Sequence, residues 1–244
     1  MNAIEIHELT KKYKGKYAVK NLTFNIQQGE VFGLLGVNGA GKTTTIRMLS
    51  CITKPTSGDA TILGKSIISD SQAVKEMINI SPQETAVAPN LTVSENIAFI
   101  ANIYGTQGRN PKEKANRMIL NLGLSEVEKV RAKTLSGGWQ RRLSIAMALI
   151  SEPKVLFLDE PTLGLDVLAR RELWSIIEKL KGEVTIILTT HYLEEAQALS
   201  DRIGIMANGE LKAIGTASEL ITETDTENFE DAFISLATES ERIL

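Results

Sequence analysis

Residues 36–43 read Gly-Val-Asn-Gly-Ala-Gly-Lys-Thr, a run that fits G-x-x-x-x-G-K-[ST] at every fixed position. The chemistry open to such a run is phosphate binding. Gly36, Gly39 and Gly41 carry no side chain and permit positive φ, so the N–H groups around them, Asn38 and Ala40 included, can turn onto one anion. Lys42 adds a point charge for β- and γ-phosphates, and the Thr43 hydroxyl, with Thr44 behind it, offers a ligand to Mg2+. A plain glycine turn between strand and helix would not need the Lys-Thr pair at that offset. A second pair, Asp159-Glu160 in VLFLDEP, supplies the carboxylates that such a site requires. Asp159 would hold magnesium through a water, and Glu160 would orient or deprotonate a water attacking the γ-phosphate. Alone, an Asp-Glu pair at a strand end is more simply a solvated one; the phosphate run upstream shifts the reading toward chemistry.

The elements that must position these groups follow from hydrophobic periodicity. Ile4 and Ile6, then Leu22, Phe24 and Ile26, alternate with polar residues, which predicts antiparallel strands with one solvated face. From Val31 a continuous apolar run, VFGLLG, ends in the glycine run and is followed by helical spacing in TTTIRMLSCI. Residues 75–81 (KEMINIS) read as a further strand. Helices are predicted over Val93–Tyr104, Pro111–Leu122 and Gly137–Ile150, then a buried strand at VLFLD, a helix over Val167–Lys181, a buried strand at VTIILTT and a helix after His191. Strands alternating with helices imply a parallel sheet. Asn208-Gly209 marks a hairpin turn. The stretch from Ser218 holds eight acidic residues against Arg242 alone, which predicts a solvated helical tail.

Composition narrows the classes. The chain has 244 residues, 27 Lys plus Arg against 30 Asp plus Glu, and a net charge of −3, so no basic field invites nucleic acid. One cysteine, Cys51, closes no internal disulfide, and the N-terminus lacks the pattern of a leader, which together predict a cytosolic chain. No apolar run approaches the roughly 20 residues of a membrane helix.

Between the two phosphate-site motifs lies LSGGWQRR at Leu135–Arg142. With that run in place, the chain resembles the nucleotide-binding subunit of an ATP-binding cassette (ABC) transporter over about residues 1–220. The resemblance implies an α/β fold: a RecA-like P-loop NTPase core with a parallel sheet, an N-terminal antiparallel β subdomain, and an inserted helical subdomain at about 86–150 carrying the signature, with 221–244 as the acidic tail. It also assigns roles. Tyr13 resembles the aromatic that stacks on adenine, with Tyr17 close enough to compete. Gln83 resembles the glutamine that senses γ-phosphate and magnesium. Leu135, Ser136, Gly137 and Gly138 resemble the signature that acts in trans, although Ser136 also suits a helix N-cap. Asp166 resembles the residue of the loop crossing to the second subunit, and an N-cap role can coexist with that one. His191 resembles the switch histidine at the γ-phosphate, where a strand-end histidine is otherwise structural. Trp139 stands where the family most often has Gln, and Gly164 where many relatives have Ala or Ser.

The resemblance further implies ATP and Mg2+ as ligands, a head-to-tail dimer, most simply a homodimer, and a separate membrane permease that would hold the chain at the cytoplasmic face of the membrane. The Gly164-Leu165-Asp166 loop, LTVSENI and GTASEL look most like the drug, antibiotic and bacteriocin exporter branch. Alternatives are an importer ATPase, a soluble ABC ATPase acting on nucleic acid or ribosomes, and a module that binds ATP without hydrolysing it. The spacing of the motifs, without a long coiled-coil insert or a second cassette, disfavours the soluble class. The full set Lys42, Asp159, Glu160 and His191 disfavours the inert module.

Overall fold

The computed structural model describes residues 1–104 and 110–238. β1 (Asn2–Tyr13) and β2 (Lys16–Gln27) pair antiparallel, with Ile4, Ile6, Leu22 and Ile26 buried while Thr23 and Asn25 face solvent. β3 (Val31–Leu35) then leads into α1 (Lys42–Leu49). A hairpin of β4 (Ser57–Ile62) and β5 (Lys65–Ser66), unforeseen in the sequence, extends the first sheet to the order β2-β1-β4-β5. Its turn, Leu63-Gly64, has both residues at positive φ, the twist that two-residue hairpins need.

The expected strand at 75–81 divides in two. α2 (Ser71–Met77) buries only Val74, and just the last four residues form β6 (Ile78–Ser81). Seven residues are too few to separate a period of two from one of 3.6. The three helices expected next are present as α3 (Val93–Tyr104), α4 (Pro111–Asn121) and α5 (Gly137–Leu149), with single 3-10 turns at Ser125–Val127 and Ala132–Thr134. β7 (Val155–Asp159), α6 (Val167–Leu180), β8 (Thr185–Thr190) and α7 (Leu193–Leu199) follow, then the hairpin β9 (Arg202–Ala207) and β10 (Glu210–Gly215), and finally α8 (Ala217–Glu223) and α9 (Phe229–Thr238).

The second sheet runs β10-β9-β3-β8-β7-β6, and all its neighbouring pairs are parallel except β9 with β10. Its central strands are buried on both faces, which explains their unbroken apolar runs. Phe32, Leu34, Val155, Phe157 and Ile187 join a core with the antiparallel sheet and α1. Leu156, Leu158, Ile186 and Leu188 point the other way, into a core shared with α3, α4, α5 and α6.

The acidic C-terminal stretch is helical and its described acids are exposed, but one face is docked rather than solvated. Phe229, Ala232 and Leu236 of α9 are buried in a third core with Leu35, Ile203, Ile205 and Leu220. Its last residues, 239–244, lie outside the described part. No helix among the described residues is long and apolar enough to cross a membrane.

Candidate functional site

In open α/β sheets, ligand sites form beyond the carboxyl ends of the parallel strands. Four loops here leave such ends: residues 36–41 after β3, Pro82-Gln83 after β6, Glu160 onward after β7, and His191 after β8. They enclose a cleft of about 360 Å³ lined by Asn38, Gly39, Ala40, Gly41, Lys42, Thr43, Thr44, Gln83, Glu160 and His191, together with Ala18 and Leu163. Ten of the residues that the sequence nominates, from Asn38 to His191, thus converge on one cleft.

The glycines act in two ways. Gly39 and Gly41 adopt φ of 84° and 107°, the left-handed region that glycine tolerates. Gly36, expected to do the same, is not left-handed; a Cβ there would come within 2.4 Å of the Met206 carbonyl oxygen, so close packing is what demands glycine. Thr45 N–H bonds the Gly41 carbonyl at 2.9 Å as α1 begins, leaving its positive end facing the cleft.

Lys42 is 5% exposed. Its Nζ donates to the carbonyl oxygens of Gly36 (2.6 Å) and Val37 (3.3 Å) and pairs with Glu160 Oε1 at 3.3 Å. The other oxygen of Glu160 lies 2.7 Å from His191 Nδ1. A chain Lys42–Glu160–His191 results, buried at Lys42 and Glu160 and partly exposed at His191, with the carboxylate held between two nitrogen groups. Glu160 has a φ of 48°, in the left-handed region, and its carbonyl accepts Leu163 N–H at 3.2 Å to open the turn after β7. Asp159, also buried, accepts from Thr43 Oγ1 at 3.1 Å and from Thr189 Oγ1 at 2.6 Å. The Thr189 hydroxyl in turn accepts the Glu160 N–H at 3.0 Å.

Thr43, which lines the cleft, and Asp159, bonded to it from outside the lining, bring hard oxygen donors together. No cluster of three or more His, Cys, Asp or Glu that could cage a metal occurs among the described residues. That donor set fits magnesium, which takes one or two protein oxygens and completes its shell with water and phosphate. Arg141, buried in α5, donates to the carbonyl oxygens of Pro82 (2.5 Å) and Gln83 and so fixes the loop that brings Gln83 to the cleft. Burial pushes the Arg141 guanidinium below its usual range, opposed by the charges of Asp159 and Glu195.

Other nominated residues stand apart. Tyr13 is half exposed at the β1–β2 hairpin tip under Lys11, whose Nζ lies 5.1 Å from the ring centroid, and it does not line the cleft. Ala18 lines it from the same hairpin. Leu135, Ser136, Gly137 and Gly138 are also outside the lining. Ser136 occupies the N-cap of α5, but its side chain makes no capping hydrogen bond and is exposed. Asp166 does cap α6, accepting from Leu168 N (2.9 Å) and Ala169 N (3.0 Å). Thr189, which touches both carboxylate residues, was not singled out by the sequence; as one threonine in a buried strand, it carried no distinguishing signal.

Residues 19–163 match the sequence profile of the family described as ABC transporter. The chain is 40% identical over 218 residues to the linearmycin resistance ATP-binding protein LnrL of Bacillus subtilis (strain 168), covering 89% of this chain and 70% of that one. It is 40% identical over 240 residues to the probable multidrug ABC transporter ATP-binding protein YbhF of Escherichia coli (strain K12), covering 96% of this chain and 41% of YbhF. With ABC transporter A family member 9 of Arabidopsis thaliana it shares 44% identity over 234 residues, covering 89% of this chain and 25% of that protein. The chain therefore spans well under half the length of the last two. Among solved structures, an ATP-binding subunit of an ABC transporter superposes with a TM-score of 0.84 at 26% identity, covering 96% of this chain and 99% of the other. The dimeric post-hydrolysis state of the cassette MJ0796 bound to ADP and Pi superposes at 0.79 with 27% identity, covering 87% and 98%.

Proposed function

The chain belongs to the ABC transporter family as an ATPase cassette, and on that premise we propose that it hydrolyses Mg-ATP in a head-to-tail pair and drives a separate membrane permease in export. The observation that carries this reading is the chain Lys42–Glu160–His191, with contacts of 3.3 and 2.7 Å, beside the Thr43–Asp159 oxygens.

Each residue then has a task that its surroundings suit. The amides of residues 36–44 and Lys42 bind the phosphates, whose charge competes with Glu160 for the ammonium. Glu160, released from Lys42 but still bonded to His191, accepts a proton from the attacking water or orients that water. His191 keeps the carboxylate aimed and contacts the γ-phosphate. Thr43, Gln83 and Asp159 would hold magnesium, which would neutralise charge on the phosphates. Tyr13, exposed at the hairpin whose Ala18 lines the cleft, offers a face to adenine.

The pairing proposal draws support from Ser136, Gly137 and Gly138, which lie outside the cleft at the N-terminus of a 13-residue helix, the serine hydroxyl uncommitted. A partner's phosphates would meet that N-terminus. Such an arrangement is a switch, because contacts across the pair exist only when nucleotide bridges it. The exporter direction draws on the printed descriptions of LnrL and YbhF as resistance and multidrug proteins. No nucleic-acid role is proposed, since the chain carries a net charge of −3.

Glu160→Gln keeps the shape of the site and removes the base. We expect it to bind ATP as the unmodified chain does, to form an ATP-dependent dimer on size exclusion, and to lose turnover by about 100-fold or more. Unimpaired hydrolysis would refute the role of Glu160, and an ATP-loaded Glu160→Gln protein that stays monomeric at high concentration would refute the pairing.

A further inference from the structure

Glu195 is a buried carboxyl for which the reaction above has no use. It lies in the first turn of α7, is 0% exposed, and accepts from Trp174 Nε1 of α6 through Oε1 at 3.1 Å. Its second oxygen, Oε2, has no hydrogen-bond partner. The hydroxyl of Thr162, buried on the turn that follows Glu160, has none either. With Ser200 Oγ, these are the buried side-chain polar atoms left without a partner among the described residues. Leaving such groups unpaired is costly, so each one calls for an explanation.

The two are neighbours. The Thr162 and Thr190 hydroxyls and the Trp174 indole favour the ionised carboxyl, while burial, the largest influence, and the charge of Glu160 push the Glu195 pKa up. Yet neither hydroxyl completes a bond to Oε2. Their place in the chain is specific: Thr162 follows Glu160 by two residues, and Glu195 follows His191 by four. Each member of the pair is thus close in the chain to one end of the 2.7 Å Glu160–His191 hydrogen bond. Thr162 also anchors the turn toward Asp166, since its carbonyl accepts Leu165 N–H at 3.1 Å, just as Glu160 accepts Leu163 N–H at 3.2 Å.

We infer that Thr162 and Glu195 are positioning residues for hydrolysis, joined by a hydrogen bond that is unmade in this structure and forms when the 160–166 turn takes its working geometry. Making the bond favours that geometry over this one by satisfying two buried groups at once, which is the differential interaction that a conformational change requires. Its effect reaches the reacting atoms through the alignment of Glu160 with His191. The inference rests on the ATPase reading above.

The test uses the full chain, and four substitutions separate positioning from packing. Thr162→Val keeps the side-chain shape and removes a hydroxyl that is unpaired here. We expect its Tm to equal or exceed that of the unmodified chain while kcat falls about tenfold and KM for ATP moves by less than about threefold. Thr162→Ser retains the hydroxyl and restores kcat. Glu195→Gln, whose amide can donate to Thr162 and still accept from Trp174, keeps most of kcat, whereas Glu195→Ala loses it. Because Glu195→Ala can fail to fold, the Val and Ser pair at position 162 decides the matter. Unchanged kcat in Thr162→Val overturns the inference, as does a joint fall of Tm and kcat that Ser does not rescue. Absence of ATP hydrolysis by the unmodified chain, by contrast, overturns the ATPase reading itself.

Discussion

Thr189 offers a quantitative check on how the two carboxylate residues are held. Its hydroxyl donates to Asp159 at 2.6 Å and accepts from Glu160 N at 3.0 Å, all within a fully buried strand. Thr189→Val replaces that hydroxyl with a methyl group of similar size. Glu160 N–H keeps its bond to the Thr189 carbonyl oxygen at 3.1 Å, so the loss falls on Asp159, which retains only Thr43 as a donor. A hydrogen bond to an ionised group contributes about 1.5–3 kcal/mol, and a partner remains, so we expect a cost of about 2 kcal/mol. For a chain of this size, that lowers Tm by about 4–8 °C. Because Asp159 is also the proposed holder of magnesium, losing its outer partner should raise the Mg2+ concentration for half-maximal ATP hydrolysis about tenfold or more. Thermal unfolding followed by circular dichroism, and hydrolysis titrated with Mg2+ at saturating ATP, measure the two effects. A stability loss with an unchanged Mg2+ titration would show that Thr189 only packs the strand, and an unchanged Tm would refute the strength assigned to the bond.

Two further predictions concern the scaffold. Glu210 bonds Lys20 of β2 at 2.6 Å and Lys212 at 2.7 Å, which hold its carboxyl at about 2, below its ordinary value of 4.5. Folding therefore disfavours protonation, so the stabilisation is complete above about pH 4.5 and disappears as pH falls toward 2; the gap in urea midpoint between the unmodified chain and Glu210→Gln should be small, because the pair is partly solvated, and should narrow from pH 7 to pH 3. A gap that widens on acidification contradicts this sign. Asp166→Ala removes the one oxygen, Oδ1, that accepts both N-cap hydrogen bonds of α6 and should cost about 1 kcal/mol, or about 2–4 °C in Tm, whereas Asp166→Asn keeps the cap at a smaller cost; equal Tm for Ala and the unmodified chain would show that the cap carries no weight.

What sequence reveals here depends on whether a residue's task leaves a local pattern. The glycine run and VLFLDEP sit beside long apolar strands, so both motif and context could be read from adjacent residues. Thr189 reaches the site by strand register, which pairs Asp159 with Thr189 and places β8 between β3 and β7; nothing in VTIILTT encodes that neighbour. Charge misled at the C-terminus. Phe229, Ala232, Phe233 and Leu236 fall on one face at helical spacing, but the surrounding acids dominate the composition, and the helix docks where a solvated tail was expected. Glu195 escaped for the same reason, as the second of two glutamates in LEEAQAL, where only packing separates the buried one from exposed Glu194.

The positive φ at Glu160 also limits which substitutions position 160 can accept. A β-branched side chain resists that conformation whatever its polarity, so valine, isoleucine or threonine there would disturb the turn as well as remove the proposed base. Asparagine, aspartate and glycine suit the backbone, and glutamine preserves the length of the side chain. Substitutions at position 160 that keep the turn intact are thus confined to a narrow set of side chains, a filter imposed by the main chain before chemistry is considered.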